Sequence, residues 1–126
     1  MEALTKTEEK VMQILWDLKS GFVKDVIDRL GEPTPYNTIS SLIRILEKKG
    51  FVGHKAYGKT HEYFPVISKA EYRKFTFQGF LSNYFEGAPE NVISFMVKEE
   101  NIDPDDIQKM LKMLENNDNN IEKNDQ

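Results

Sequence analysis

The sequence predicts a mainly α fold with one small β-hairpin. Three patterns carry this expectation. Apolar residues recur at i, i+3, i+4 and i+7 in several separate stretches, the spacing of one helix face. A Gly58-Lys59 pair sits between two short runs rich in aromatic and β-branched residues, the signal of a hairpin. Capping residues, prolines and glycines stand at the ends of the periodic stretches.

Each element has its own warrant. Thr5 and Glu8 have the spacing of a capping box, and Val11, Ile14, Leu15 and Leu18 repeat behind them as a stripe that Gly21 should stop. Trp16 lies at the margin of that stripe. Val23, Val26, Ile27 and Leu30 predict a short second helix ended by Gly31. After the turn Gly31-Glu-Pro-Thr-Pro35, Thr34 is the expected N-cap and Pro35 the first helical residue of a third helix. Ile39, Leu42, Ile43 and Leu46 form its inner stripe, and Gly50 closes it. Phe51–Tyr57 and Thr60–Val66 follow as hairpin strands around a type II′ turn, which pairs Tyr57 with Thr60, Lys55 with Glu62 and His54 with Tyr63. Both hairpin faces carry aromatics, so the pattern alone leaves the buried face open. Ser68 and Glu71 form a second capping box before an aromatic-rich helix stopped by Gly87. Pro89 opens a further helix, and Asp103-Pro104 opens the last, with Ile107, Met110, Leu111 and Leu114 in its stripe. The polar stretch from Asn116 to Gln126 reads as a disordered tail.

The chain has 126 residues, enough for one real core, and is 39% hydrophobic and 30% charged. No apolar run approaches the roughly 20 residues of a membrane span, and no membrane partner is expected. The start, MEALTKTEEK, lacks the apolar centre of a secretory signal, so the expected location is cytoplasmic. With no cysteine, disulfides, thiolate metal sites and cysteine nucleophiles are excluded. The net charge of −4 hides an asymmetry: residues 1–70 sum to +2 and residues 71–126 to −6. Within 34–61, five basic residues face a single acid, Glu47. Such a local patch attracts phosphate even on an acidic protein, because charges beyond about 8–10 Å are largely screened at physiological salt.

Three helices and a hairpin within the first 65 or so residues are the order of a winged helix-turn-helix domain. Its third helix enters the major groove, which requires an apolar inner stripe and an outer face of short polar groups with a long basic arm. Asn37, Ser41, Arg44 and Lys48 fall on that outer side, with Ser40 flanking them. Asn pairs bidentately with adenine and Arg with guanine, so Asn37 and Arg44 are the base-edge candidates. Ser40 and Ser41 suit phosphate or base edges, and Tyr36 and Thr38 suit phosphate at the helix start. Lys48, Lys55 and Lys59 suit phosphate neutralisation, with Tyr57 near the wing tip against sugar or phosphate. The same fold also serves protein contacts, so a winged-helix interaction module without DNA is the alternative. His54 and His61 are the chain's two imidazoles. No nucleophile motif, phosphate loop or metal-ligand spacing accompanies them, so neither an enzyme nor a cofactor is expected.

The stretches LTKTEEKVMQILWDL and TPYNTISSLIRILEKKGFVGHKAYGKTHEYFPV resemble the penicillinase repressor family of transcriptional repressors. Thr38-Ile39, Leu42, Lys48-Lys49-Gly50, His54-Lys55, Gly58-Lys59, Tyr63 and Pro65 carry the resemblance. It implies a homodimeric repressor on a palindromic operator in double-stranded DNA, dimerised through C-terminal helices. The residues agree on that last point. Phe75, Phe80, Leu81, Tyr84, Phe85, Phe95, Met96, Ile107, Met110, Leu111 and Leu114 are more large apolar groups than lone helices can cover, and a symmetric interface would bury them. The other possibility is that these helices fold back on the winged-helix domain. The expected layout is therefore 1–67 winged helix, 68–115 dimerisation region and 116–126 tail. Departures from the family pattern also matter. Ile45 stands where members often have Arg, and Asn37 and Ser40 stand where some have Lys and Arg, which leaves room for a different operator sequence. A sensor protease that cuts an Asn–Phe bond is a partner of some members; Ser94-Phe95-Met96 offers no such bond. The cysteine motif of copper-responsive members is absent as well.

Overall fold

The computed structural model describes the backbone of residues 1–124, with side-chain surroundings for 1–117. Six helices and a three-stranded antiparallel sheet follow in the order α1 (Lys6–Leu18), β1 (Gly21–Phe22), α2 (Val23–Leu30), α3 (Tyr36–Lys48), β2 (Val52–Tyr57), β3 (Thr60–Pro65), α4 (Lys69–Tyr84), α5 (Pro89–Lys98) and α6 (Pro104–Asn124). The sheet order is β1-β3-β2. This is a winged helix followed by C-terminal helices. The chain forms two compact units, 1–77 and 78–126.

The first unit carries a complete core. Val11, Met12, Leu15, Val26, Ile39, Ile43, Leu46 and Phe51 are fully buried, with Val23, Val52, Tyr63 and Tyr72 nearly so. Burying each such side chain stabilises the fold by about 1.5–3 kcal/mol relative to exposure. The Thr5–Glu8 capping box forms as expected: Glu8 N–H donates to Thr5 Oγ1 at 3.2 Å and Thr5 N–H to Glu8 Oε1 at 2.8 Å. The helix then stops earlier than Gly21. Lys19 takes the positive φ of 72° and its N–H donates to Leu15 O. Gly21 instead starts β1 and pairs with Tyr63; a Cβ there would lie 3.3 Å from Leu18 Cδ1.

At α3 the cap is Pro35, not Thr34, and no side chain caps the helix. The Thr34 hydroxyl donates to Glu32 O within the turn. The other end closes as a Schellman motif: Gly50, at φ 86°, donates to Glu47 O, and Phe51 N–H donates to Leu46 O. Both Leu46 and Phe51 are fully buried, so this closure also seats the helix on the core. The hairpin register is the expected one, and positive φ at its tip is confined to Gly58, the first central position, as a type II′ turn requires. Its inner face is the Val52–Pro65 and His54–Tyr63 side; the outer face carries Phe64, whose ring lies over Gly53.

The first unit extends past residue 67 because α4 begins inside it. The Ser68–Glu71 box forms, and Tyr72 is buried, with its hydroxyl accepting from Leu4 N–H at 2.8 Å and its ring 5.6 Å from that of Phe51. Trp16 Nε1 donates to Ile67 O at 2.9 Å, which fixes the chain entering that helix.

In the second unit Pro89 occupies the first turn of α5, and Asp103 Oδ1 accepts from Asp105 N–H at the start of α6. Phe85 packs near Phe80 and Phe95, with ring centroids 5.3 and 5.7 Å apart. The segment read as a tail from Asn116 continues α6 as far as Asn124, since no glycine or proline interrupts it; Asp125 and Gln126 lie outside the described residues. Among the described residues, no helix is long and apolar enough to cross a membrane.

Candidate nucleic-acid interface

Ile39, Ile43 and Leu46 face the core, so the 100° turn per residue sends Asn37, Ser41, Arg44 and Lys48 outward. All four are exposed, as is Thr38, and Tyr36 at the helix start is 54% exposed. Ser40 departs from the expectation. At 8% exposed it is buried. It lies on the α3 flank shared with Tyr36 and Glu47, and Glu47 on that flank bonds His54 of the hairpin.

The wing supplies the second half of the surface. Lys55, Tyr57 and Lys59 are exposed around the Gly58 tip. Lys55 Nζ sits 5.3 Å from the centre of the Tyr57 ring, which holds that ammonium over an aromatic face. Phe22 of β1 lies 5.9 Å from the same ring and props it from the strand side. Among the described residues, Arg44, Lys48, Lys55 and Lys59 enter no ion pair, so their charge is available to an external anion.

Lys49 differs from its neighbour Lys48. Its ammonium contacts both Glu8 carboxylate oxygens, at 2.9 and 3.1 Å, tying the α3 end to the α1 start. Burial raises the Glu8 pKa, but the Thr5 N–H and Lys49 outweigh it, and the net direction is below the ordinary carboxylate value. The hydrogen bond to Glu8 correspondingly raises Lys49 above the ordinary ammonium value.

Between α3 and the wing lies a polar cluster that the sequence did not single out. Glu47 Oε2 accepts from His54 Nδ1 at 2.5 Å. The His54 and His61 rings stack at 4.2 Å with 7° between their planes. Tyr63 lies beneath with its hydroxyl beside Arg44; burial pushes that phenol up, Glu47 adds to the rise, and Arg44 opposes it. Two signals for this cluster were present: Glu47 is the lone acid of 34–61, and His54 pairs with Tyr63 in the register. Among the described residues, no group of three or more His, Cys, Asp or Glu is arranged to hold a metal ion.

The second unit is apolar without a sealed core. Phe80, Tyr84, Met110, Leu111 and Leu114 are exposed, between 45% and 72%, while Leu81, Phe85, Phe95, Met96 and Ile107 are half-buried. Phe75, expected to join them, belongs to the first unit, where its ring lies 6.0 Å from that of Tyr72.

The profile described as penicillinase repressor matches residues 4–116. The methicillin resistance regulatory protein MecI of Staphylococcus aureus (strain N315) is 24% identical over 113 residues, covering 88% of this chain and 92% of that protein. The penicillinase repressor of Bacillus licheniformis is 23% identical over 118 residues, covering 92% of each.

Proposed function

The chain belongs to the penicillinase repressor family, and from that premise we propose that it represses transcription as a homodimer bound to a palindromic operator. The observation that supports the reading is a set of exposed polar and cationic side chains on α3 and on the wing. Asn37, Thr38, Ser41, Arg44 and Lys48 on α3 lie exposed in the same unit as Lys55, Tyr57 and Lys59 on the wing, and the four cations enter no ion pair among the described residues. In this reading Asn37 and Arg44 meet base edges. The lysines, with Tyr36 and Tyr57, meet the phosphate backbone and fix the register.

The homodimer rests on the exposed apolar side chains of the second unit. Phe80, Tyr84, Leu111 and Leu114 would become the centre of a two-fold interface. Two copies then present two α3 helices to half-sites about one helical turn apart, and a palindrome matches that symmetry.

Titration of the DNA immediately upstream of the gene, across a salt series, tests the whole reading. Each neutralised phosphate should contribute about −0.9 to the slope of log K against log salt. Protection of an inverted repeat is the expected footprint. Binding with no sequence preference at any salt, or none at all, would defeat the reading.

A further inference from the structure

The basic segment 34–61 holds one acid, and that acid lies on the helix assigned above to the groove. A carboxylate near phosphate is repelled, so Glu47 calls for a reason to be there. Its Oε2 sits 2.5 Å from His54 Nδ1, across the gap from α3 to the wing. His61, on the other wing strand, is stacked flat on His54, so the bond is passed to both strands of the hairpin. The Tyr63 hydroxyl of β3 also lies beside Arg44 of α3, but among the described residues Glu47–His54 is the ion pair that ties α3 to the hairpin. The geometry points to a latch: Glu47 and His54 are positioning residues that fix the wing's phosphate-binding tip relative to the base-reading face of α3. This rests on the DNA-binding reading given above.

The physical consequence is selective. Specific binding requires α3 in the groove and Lys55, Tyr57 and Lys59 on the backbone at the same time, so a wing already held in place saves the cost of ordering it on binding. Non-specific binding is a sum of phosphate contacts and does not require that coincidence. Unfastening the wing therefore lowers specific affinity more than non-specific affinity.

The test uses the full chain, the duplex that the wild type selects from a randomised pool, and a scrambled duplex of equal length. The readout is the ratio of the two affinities. Glu47→Ala and Glu47→Gln remove the same charge, but only Gln keeps an acceptor oxygen at that reach. His54→Asn keeps an N–H donor where Nδ1 stands, whereas His54→Ala does not. Glu47→Ala and His54→Ala are each expected to lower the ratio about tenfold, and the double alanine variant no further, because both break one interaction. Glu47→Gln and His54→Asn should stay within about twofold of wild type. In amide NMR spectra without DNA, Glu47→Ala should shift residues 52–65 while leaving α1 and α2 in place.

Equal ratios for Glu47→Ala and Glu47→Gln overturn the latch, as do unmoved wing amides. If the wild type selects no duplex, the DNA-binding reading falls and takes the specificity role with it. If the wild type selects one and the alanine variants match it, the latch alone falls.

Discussion

Residues 1–77 and residues 78–117 use their apolar side chains in opposite ways. Each of the twelve buried hydrophobic residues lies in the first stretch, from Val11 to Tyr72. In the second, Phe85 and Phe95 pack together, yet no described residue is buried and Tyr84 is 72% exposed. The first unit meets its conformational cost with its own contacts. The second leaves large side chains exposed, and exposed apolar surface of that extent marks an interaction site. Under the proposed function, the first unit is the rigid platform for DNA and the second the surface that a second copy completes.

The contrast is broken most severely at Phe51. This ring is fully buried, closes the α3 Schellman motif, receives Val66 and Ile67 N–H at its carbonyl and meets Tyr72 edge-on. Phe51→Ala should cost about 3–5 kcal/mol in urea unfolding. A loss below about 1 kcal/mol would mean that the first unit does not depend on this core. Next in size is Leu111→Asp in the second unit. It should weaken self-association by about 2 kcal/mol or more, read as a shift from dimer to monomer mass in sedimentation. The first unit's own unfolding should be unchanged at equal subunit concentration, while the concentration dependence of melting disappears. A wild-type monomer at all concentrations would remove the basis of the comparison.

Within the first unit, the same contrast of roles separates Arg44 from Lys59. Arg44→Ala should lose about 1–3 kcal/mol on the preferred duplex and relax the base preference. Lys59→Ala should weaken all sequences alike and reduce the salt slope by about 0.9. Equal behaviour of the two would put Arg44 on phosphate, where its position beside the Tyr63 hydroxyl could hold it.

What the sequence made legible was local chemistry. The Thr5–Glu8 and Ser68–Glu71 caps, the stripe Ile39-Ile43-Leu46 and the hairpin register each need only a few neighbouring residues, and each formed as read. Elements settled by distant parts of the chain were not legible. Two residues carry no periodicity, so β1 emerged only through its pairing with β3. Gly21 looked like a helix stop, yet its lack of a side chain serves the close approach to Leu18, and Lys19 makes the stop. On α3, the helical wheel placed Ser40 beside the outer face, but the folded chain buries it. The latch was hidden for the same reason: Glu47 and His54 are seven residues apart on different elements. In the second unit the apolar residues expected to need a covering surface are exposed or half-buried, a property that composition alone suggests.

The smallest expected effect lies in the pH dependence of the first unit's stability. The Glu8 carboxyl, though burial alone would raise it, is held below its ordinary value of 4.5 by Thr5 N–H and Lys49. A depressed folded-state pKa contributes stability that is present above the unfolded value and lost as pH falls through the folded one. Lys49, raised above 10.5 by Glu8, contributes stability that is present below its unfolded value and lost as pH rises through the folded one. The pair therefore supports the fold across the middle of the range, and its acid limb begins as pH drops below the unfolded carboxylate value. Glu8→Gln keeps an acceptor for Thr5 N–H but removes the titrating charge. Urea unfolding from neutral pH downward should show wild type more stable near neutrality and losing stability faster in the carboxylate range, so that the two curves converge in acid. Parallel curves would show that Lys49 is held by solvent and not by Glu8, and that the α1–α3 tie is packing alone.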